Sequence, residues 1–312
     1  MDIECERTDA LIFDSLLGEN EWNQPMPHEF GNQTIPLYKI NSCDELNRLI
    51  GYARFQYANE GKTILYRGQP SLFKNALQPS IARERENSAG TTTEAIKNLK
   101  KTLNIIKQCT DLRKCLIGPR ARMQVLEQED ADKDVIEGCI QHYGCRTRMI
   151  DLVDNHWIAL WFATVSDGHP VNENAYVLLY AADTSTKCCN GVYKTEEMTT
   201  IDLRKAVSSI FLRPAAQHAW VSRLNDAYDY SDAIVGIIEI QRKNALNMLG
   251  IEGDGHDDAP SNSLLNHNNL FPAASEERDK GWYELLKRQT GTPQNKQYHA
   301  KQCLTEGTIA IK

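Results

Sequence analysis

The sequence contains no apolar run approaching the roughly 20 residues that a bilayer-spanning helix needs, so no membrane segment is expected. It also lacks the evenly spaced cysteines of a disulfide framework: its 9 cysteines are odd in number and scattered, and include the adjacent pair Cys188-Cys189. That usage implies reduced thiols in a reducing compartment. The opening residues, Met1-Asp2-Ile3-Glu4-Cys5-Glu6, are acidic and have no apolar core. No secretory leader is read there, and the protein is expected to be cytoplasmic. A strong charge of either sign is missing as well. The 35 basic and 42 acidic residues leave a net charge of −7, which gives no global attraction to nucleic acid but permits a local basic groove. No internal repeat and no linker-like composition shift interrupts the chain.

What is there is ordinary globular patterning, 41% hydrophobic and 25% charged, over a length that can bury a sizeable core. Residues 1–40, with Pro25, Pro27 and Pro36, read as an irregular N-terminal extension. Residues 41–312 read as a single α+β domain with a helical insertion at about 90–140. Ser42 and Glu45 form a capping box ahead of Leu46, Leu49, Ile50, Ala53 and Tyr57, whose spacing predicts an amphipathic helix. Gly61 closes that element and Thr63–Arg67 reads as a strand. Thr92–Cys109 predicts a second helix with Ile96, Leu99, Leu103 and Ile106 on one face, and Met123–Ile140 a third. His156–Val165, after Asp154-Asn155 as the cap, is nearly all apolar and predicts a helix buried on most sides. Ala175–Tyr180 and Ala233–Ile240 read as central strands, and Val207–Leu212 and Ala219–Val221 as further ones. Residues 252–268 read as a surface loop and Trp282–Arg288 as a short helix.

Two segments concentrate polar and cationic groups at the ends of buried elements, where active sites are commonly assembled. The first is Tyr66-Arg67-Gly68-Gln69. The second runs from Gln141-His142-Tyr143-Gly144 through Thr147-Arg148 to Asp151. With Leu77-Gln78-Pro79-Ser80-Ile81-Ala82-Arg83, the first resembles the opening of the FRG domain, Tyr66 replacing the family's phenylalanine. Gln141–Asp151, continuing through Asn155 to Ala159-Leu160-Trp161-Phe162-Ala163, resembles that family's second signature. Arg213-Pro214-Ala215-Ala216-Gln217-His218-Ala219-Trp220 is similar to its third, with Ala219 and Trp220 departing from the commoner Gly and Phe spacing. Leu270-Phe271-Pro272 resembles its C-terminal Leu-Phe-Pro.

The FRG pattern is itself similar to the ADP-ribosyltransferase core, and that resemblance implies a mixed or split β-sheet surrounded by helices. It further implies NAD as co-substrate and an acceptor that is RNA, DNA or protein. The setting implied is an intracellular toxin of a toxin–antitoxin or phage-defence system, with a neutralising antitoxin protein as partner. Under it, Arg67 holds the pyrophosphate, because a guanidinium grips phosphate oxygens bidentately. Gly68 allows close backbone approach, and Tyr66, Gln69, Arg148 and Asp151 complete the dinucleotide side. Tyr143 stacks on nicotinamide, Thr147 and Gln217 orient ribose hydroxyls, and His142, Asp151 or the substrate itself activates the acceptor, since a glutamine is no base.

Plainer readings stand beside these. Arg67 and Asp151 can form a structural ion pair, His142 can be a satisfied core histidine, and Arg148 with Asp151 can merely fix a loop. Glu239, on an apolar strand, is a possible substitute base or a side chain that faces solvent. Cys139-x-x-His142-x-x-Cys145 has no fourth ligand at a familiar spacing, so no metal is expected. Asp254–Asp258 lacks the ordered spacing of a calcium loop. Trp157 and Trp161 read as core. Arg113, Lys114, Arg120 and Arg122 form a local basic stretch that suits a nucleic acid acceptor or a solvated helix face. Two rival functions remain open: a non-catalytic nucleotide- or phosphate-binding module, and a nuclease-like toxin using His142 and Asp151.

Overall fold

A computed structural model describes residues 26–30, 33–72, 77–82, 92–108, 131–142, 145–165, 172–209, 211–225, 230–252 and 265–272. Among them, ten strands make one mixed sheet in the order β1-β2-β10-β5-β3-β4-β9-β8-β7-β6. The strands are β1 (Met26–Phe30), β2 (Gln33–Ile40), β3 (Lys62–Gln69), β4 (Ile150–Val153), β5 (Asn174–Asp183), β6 (Lys187–Cys189), β7 (Val192–Lys194), β8 (Met198–Asp202), β9 (Ala219–Leu224) and β10 (Ile234–Gln241). Only β2 and β10 pair parallel; the other described pairings are antiparallel. The α+β class and the mixed sheet therefore hold.

Four helices carry most of the cover: α1 (Cys43–Ala58), α2 (Thr92–Gln108), α3 (Ala131–His142) and α4 (His156–Thr164). The α1 cap forms as the sequence predicts on one side: Ser42 Oγ accepts from Glu45 N–H at 3.2 Å. The returning Glu45 carboxylate takes the N–H of Asn41 at 2.7 Å rather than that of Ser42. At α4, Asn155 is the cap, its side chain accepting from Trp157 N–H at 2.9 Å, and Asp154 is released for other work.

Strand alternation sorts the core. Tyr66, Val153 and Leu179 meet Leu46, Leu49, Ile50, Ala53 and Tyr57 of α1 and Ile158, Ala159 and Ala163 of α4. Ala219 and Val221 meet Leu99, Leu103 and Ile106 of α2 and Val135, Ile136, Cys139 and Ile140 of α3. Because Val153 lies opposite Ala219, these helices cover one and the same sheet face. Leu65, Leu152, Leu178, Tyr180 and Trp220 point to the other face, with Phe30, Leu77 and Tyr230.

Several expectations are corrected. The irregular lead-in does not extend over Met26–Ile40, which is a hairpin that carries β2 into the sheet beside β10. Its prolines are tolerated because Pro27 and Pro36 lie opposite each other on the edge pair, and pairing with β10 begins only at Leu37. Val207–Leu212 is not a strand: Leu212–Ala216 is a short helix. Strands β6, β7 and β8 had no sequence signature. The predictions for residues 123–130, for Asp254–Asp258 with most of the 252–268 loop, and for Trp282–Arg288 lie outside the described residues, as do the basic stretch 113–122 and Tyr143. No described helix is long and apolar enough to cross a membrane.

Among the described glycines the closest approach is at Gly68, between β3 and α4. A Cβ on Gly68 would stand 1.8 Å from the carbonyl oxygen of Ala159 and 2.9 Å from the nitrogen of Ala163, both backbone atoms. The close approach that Gly68 permits is thus that of a helix. Gly68→Ala should lower stability by at least the ~1–3 kcal/mol typical of overpacking, read as a lower urea midpoint. Gly51, with nothing within 4 Å of its would-be Cβ, is the control. Its replacement by alanine inside α1 should leave the midpoint unchanged or raise it.

Candidate functional site

The first signature sits where the sheet is most weakly joined. Strand β3 pairs with β5 over eight residues, from Lys62 to Gln69, but with β4 only at Tyr66 opposite Val153. Past that bridge, the Arg67 guanidinium takes over: its Nη1 donates to the backbone carbonyl of Asp151 at 2.7 Å. Arg67 therefore binds Asp151 through the main chain, not as the carboxylate ion pair. Alternation sends Arg67 to the face of Leu178, its partner on β5, while Tyr66 and Gly68 face the helices. Tyr66 is fully buried and its hydroxyl accepts from Arg54 Nε at 2.8 Å, so it serves the core. Gln69 is buried at the end of β3.

On the helix side, the second and third signatures converge. The last turn of α3 brings His142 Nε2 to 3.7 Å from Asp151 Oδ1. Gln141 Nε2 donates to Asp151 Oδ2 at 2.9 Å, and the Thr147 hydroxyl donates to Gln141 Oε1. Thr147 thereby fixes which end of the Gln141 amide meets the carboxylate. Gln217 makes a hydrogen-bonding contact with His142 and donates from Nε2 to the Leu270 carbonyl at 2.9 Å. This bond ties Leu270-Phe271-Pro272 to the site, and Phe271 packs against Trp161 and Phe162 with the Arg213 guanidinium 6.0 Å from its ring centre.

The His142 side chain is only 8% exposed, and burial pushes its pKa down, helped by the positive charge of Arg213 and opposed by Asp151 and Gln217. It is thus held neutral. Neither His142 Nε2 nor Asp151 Oδ1 has a hydrogen-bond partner among the described residues, though both atoms are buried. Buried polar atoms left open in this way are costly.

The remaining predicted residues are placed as supports. Thr147 is fully buried; besides donating to Gln141, its hydroxyl accepts from Met149 N–H at 3.1 Å, and its own N–H donates to Ser80 Oγ at 3.0 Å. Ile81 N–H donates to the Thr147 carbonyl, and Arg146 donates to the carbonyls of Ser80 and Ile81, so Leu77–Ala82 is stitched to the second signature. Arg148 forks onto Glu137, which is 0% exposed, through Nε, Nη2 and its backbone N–H. Glu239 pairs with Lys39 at 3.6 Å on β10, with β5 between it and β3. Cys139 is buried, and burial pushes the Cys145 thiol up to about 11, away from the thiolate that binds metal. Among the described residues no cluster of three or more His, Cys, Asp or Glu side chains is arranged to hold a metal.

A second polar cluster escaped the sequence reading. Asp154, just after β4, accepts through Oδ1 from His218 Nδ1 at 3.0 Å and through Oδ2 from Trp220 Nε1 at 3.2 Å and from Arg204 Nη2. Arg204 also grips the fully buried Asp202, from Nε at 2.8 Å and from Nη2 at 3.0 Å, and Lys205 joins that carboxylate at 3.0 Å. Tyr193 stacks on Trp220 at 5.9 Å. His218 itself has φ +51°, the left-handed region that non-glycine residues rarely occupy. The available signal was the position of His218 directly after Gln217; its charged partners are 14 to 64 residues away and have no motif of their own.

Residues 62–171 match the model of the FRG domain, a span that holds β3, the α2–α3 region, β4 and α4. No curated protein and no solved structure matches the chain.

Two outcomes follow from the site's electrostatics. A buried carboxylate stripped of its cation typically costs ~3–5 kcal/mol, so Arg148→Met should be strongly destabilising in urea titration. Replacing both partners, with Glu137→Leu added, should recover most of the loss. The second outcome concerns pH. His142 has a depressed pKa in the fold, and so has His156, pushed down to about 4 by burial and by Arg54. Such groups contribute stability that is fully present above the unfolded value of roughly 6.5 and is lost as pH falls toward the folded value. The urea midpoint should therefore drop between pH 7 and pH 4.5, and less steeply in His142→Gln.

Proposed function

We propose that this protein is an NAD-consuming ADP-ribosyltransferase, acting as a toxin on an intracellular acceptor and held in check by a neutralising antitoxin protein. The observation that carries the reading is the pairing of a positioned guanidinium with a neutral His142 beside the Asp151 carboxylate, on either side of the weak β3–β4 joint. In this reading the core of the sheet is of the ADP-ribosyltransferase type, and the dinucleotide lies across the divergence of β3 and β4. Arg67, held by the Asp151 carbonyl, presents its charge to the pyrophosphate. His142, Asp151, Gln141 and Gln217 form the polar wall for the ribose hydroxyls and the carboxamide.

The chemistry asks for little else. NAD carries its leaving group as a cation, so departure of nicotinamide builds oxocarbenium-like charge at the ribose, and a nearby carboxylate favours it. Asp151 is that carboxylate, and Gln141, locked by Thr147, sets its angle. Burial keeps the imidazole of His142 neutral, so no second positive charge opposes the developing one.

The His142–Asp151 pair also favours a second reading, a nuclease-like enzyme in which neutral His142 takes the proton of an attacking hydroxyl. NAD labelled in its adenylate half, incubated with the protein and cell extract, separates the two. The first reading expects nicotinamide release and label in macromolecules, with release falling about 100-fold in Arg67→Ala and Asp151→Asn, a typical cost of losing a preorganised charge. Circular dichroism must show both variants folded. Acceptor RNA cut in the absence of NAD, with no nicotinamide released, would overturn it in favour of the nuclease.

A further inference from the structure

We infer that His218, oriented by Asp154, is the base that takes the proton of the acceptor, a role that rests on the transferase reading above. On the helix side His142 is 8% exposed, Gln217 is spent on His142 and the Leu270 carbonyl, and Asp151, although its side chain is 46% exposed, serves the developing ribose charge in the reading above. A macromolecular acceptor needs a base it can reach. The His218 side chain is 43% exposed, and the residue follows Gln217 directly in the chain.

The geometry of the turn explains how one dipeptide serves two sides. With Gln217 at φ −87° and His218 at φ +51°, consecutive side chains diverge, Gln217 into the buried cluster and His218 toward Asp154. A left-handed histidine costs on the order of 1 kcal/mol and persists only where its surroundings impose it. Here the main chain does so: Asp154 N–H donates to the His218 carbonyl at 3.3 Å, and Gln217 and His218 N–H groups close the preceding turn on Arg213 and Ala215.

Asp154 then sets the tautomer. Its carboxylate can only accept, so the proton of the His218 ring sits on Nδ1, 3.0 Å away, and Nε2 presents a lone pair. Arg204 Nη1 stands 3.4 Å from the same Nδ1, while Nη2 of that guanidinium donates to Asp154 and Asp202 and its Nε to Asp202. The charged groups facing the imidazole are thus Asp154 and Arg204, with Asp202 and Lys205 behind Arg204 and Arg54 on the Asp154 carbonyl at 2.7 Å. Trp220, which holds Asp154 from β9, shares the sheet face of Arg67. The proposed base and the proposed pyrophosphate anchor therefore lie on the same side of the sheet, with the ribose wall of His142 and Asp151 on the other, and in this reading the acceptor meets the ribose between β3 and β4.

The step balances without another reactant. The acceptor oxygen or nitrogen forms a bond to the ribose anomeric carbon as the bond to nicotinamide breaks. The electron pair of that bond neutralises the pyridinium ring. The acceptor proton moves to His218 Nε2, and the resulting imidazolium, stabilised by Asp154, releases it to water.

The test compares ADP-ribosylated macromolecule with free ADP-ribose, using labelled NAD and cell extract. His218→Asn keeps an amide for Asp154 and tolerates the left-handed backbone. It should lower the transfer-to-hydrolysis ratio by at least ~100-fold, the span of a lost general base. His218→Gly, at a φ that suits glycine, should show the same loss and regain transfer when imidazole is added. Transfer and hydrolysis falling together, or a ratio within about threefold of wild type, would show a structural residue and overturn the inference alone. Wild-type protein that consumes no NAD would remove the transferase reading, and this role with it.

Discussion

The contact of α4 with β3 at Gly68 constrains everything around it. A helix backbone touches a strand backbone there with no side chain between them, so the helix axis, the strand and the loop joining β4 to α4 have no freedom to shift separately. That loop carries Asp154 and Asn155, and the strand end just beyond the contact carries Gln69. Both ends of β4 are consequently held: the start by the Gln141–Asp151 bond and the end by the α4 cap. A four-residue strand could not otherwise keep two carboxylates aimed at two different histidines.

Asp151 and Asp154 lie three residues apart and divide the labour of the site. Each faces an imidazole, but their surroundings differ in kind. Around Asp151 the donor is one neutral amide, that of Gln141, and among the described residues the other oxygen is left open. Around Asp154 they are an imidazole, an indole and a guanidinium, so that carboxylate is saturated. A saturated carboxylate orients its partner and an open one remains available, and the same residue type thus performs scaffold and chemistry within a single turn of chain.

How much of this was legible in the sequence depends on range. Local signals were read correctly where they are energetic: the Ser42 cap, the apolar face of α1, the buried runs of β5 and β10, and the all-apolar α4. Strands of three residues, such as β6 and β7, bury too few side chains to show a period, and they exist because β8 and β9 template them. Prolines hid β1 and β2, since their cost vanishes at an edge that the sequence does not reveal. For the site, residue identity was legible and duty was not. Thr147 and Arg148 sit inside the second signature, yet their partners, Ser80, Gln141 and Glu137, turn them into supports. His218 was passed over because its meaning depends on a backbone angle and on an aspartate 64 residues earlier.

Among the described residues the sheet has two rims, and a rim of unpaired amides invites a neighbouring chain to add itself as another strand. At one rim β1 places Pro27, which has no N–H to offer, and exposes Met26 and Glu29 beside it. At the other, β6 offers three residues interrupted by a register shift. Neither margin presents a regular ladder. The hairpin whose prolines disguise it as a loop is, by the same prolines, a guard against runaway assembly of the sheet.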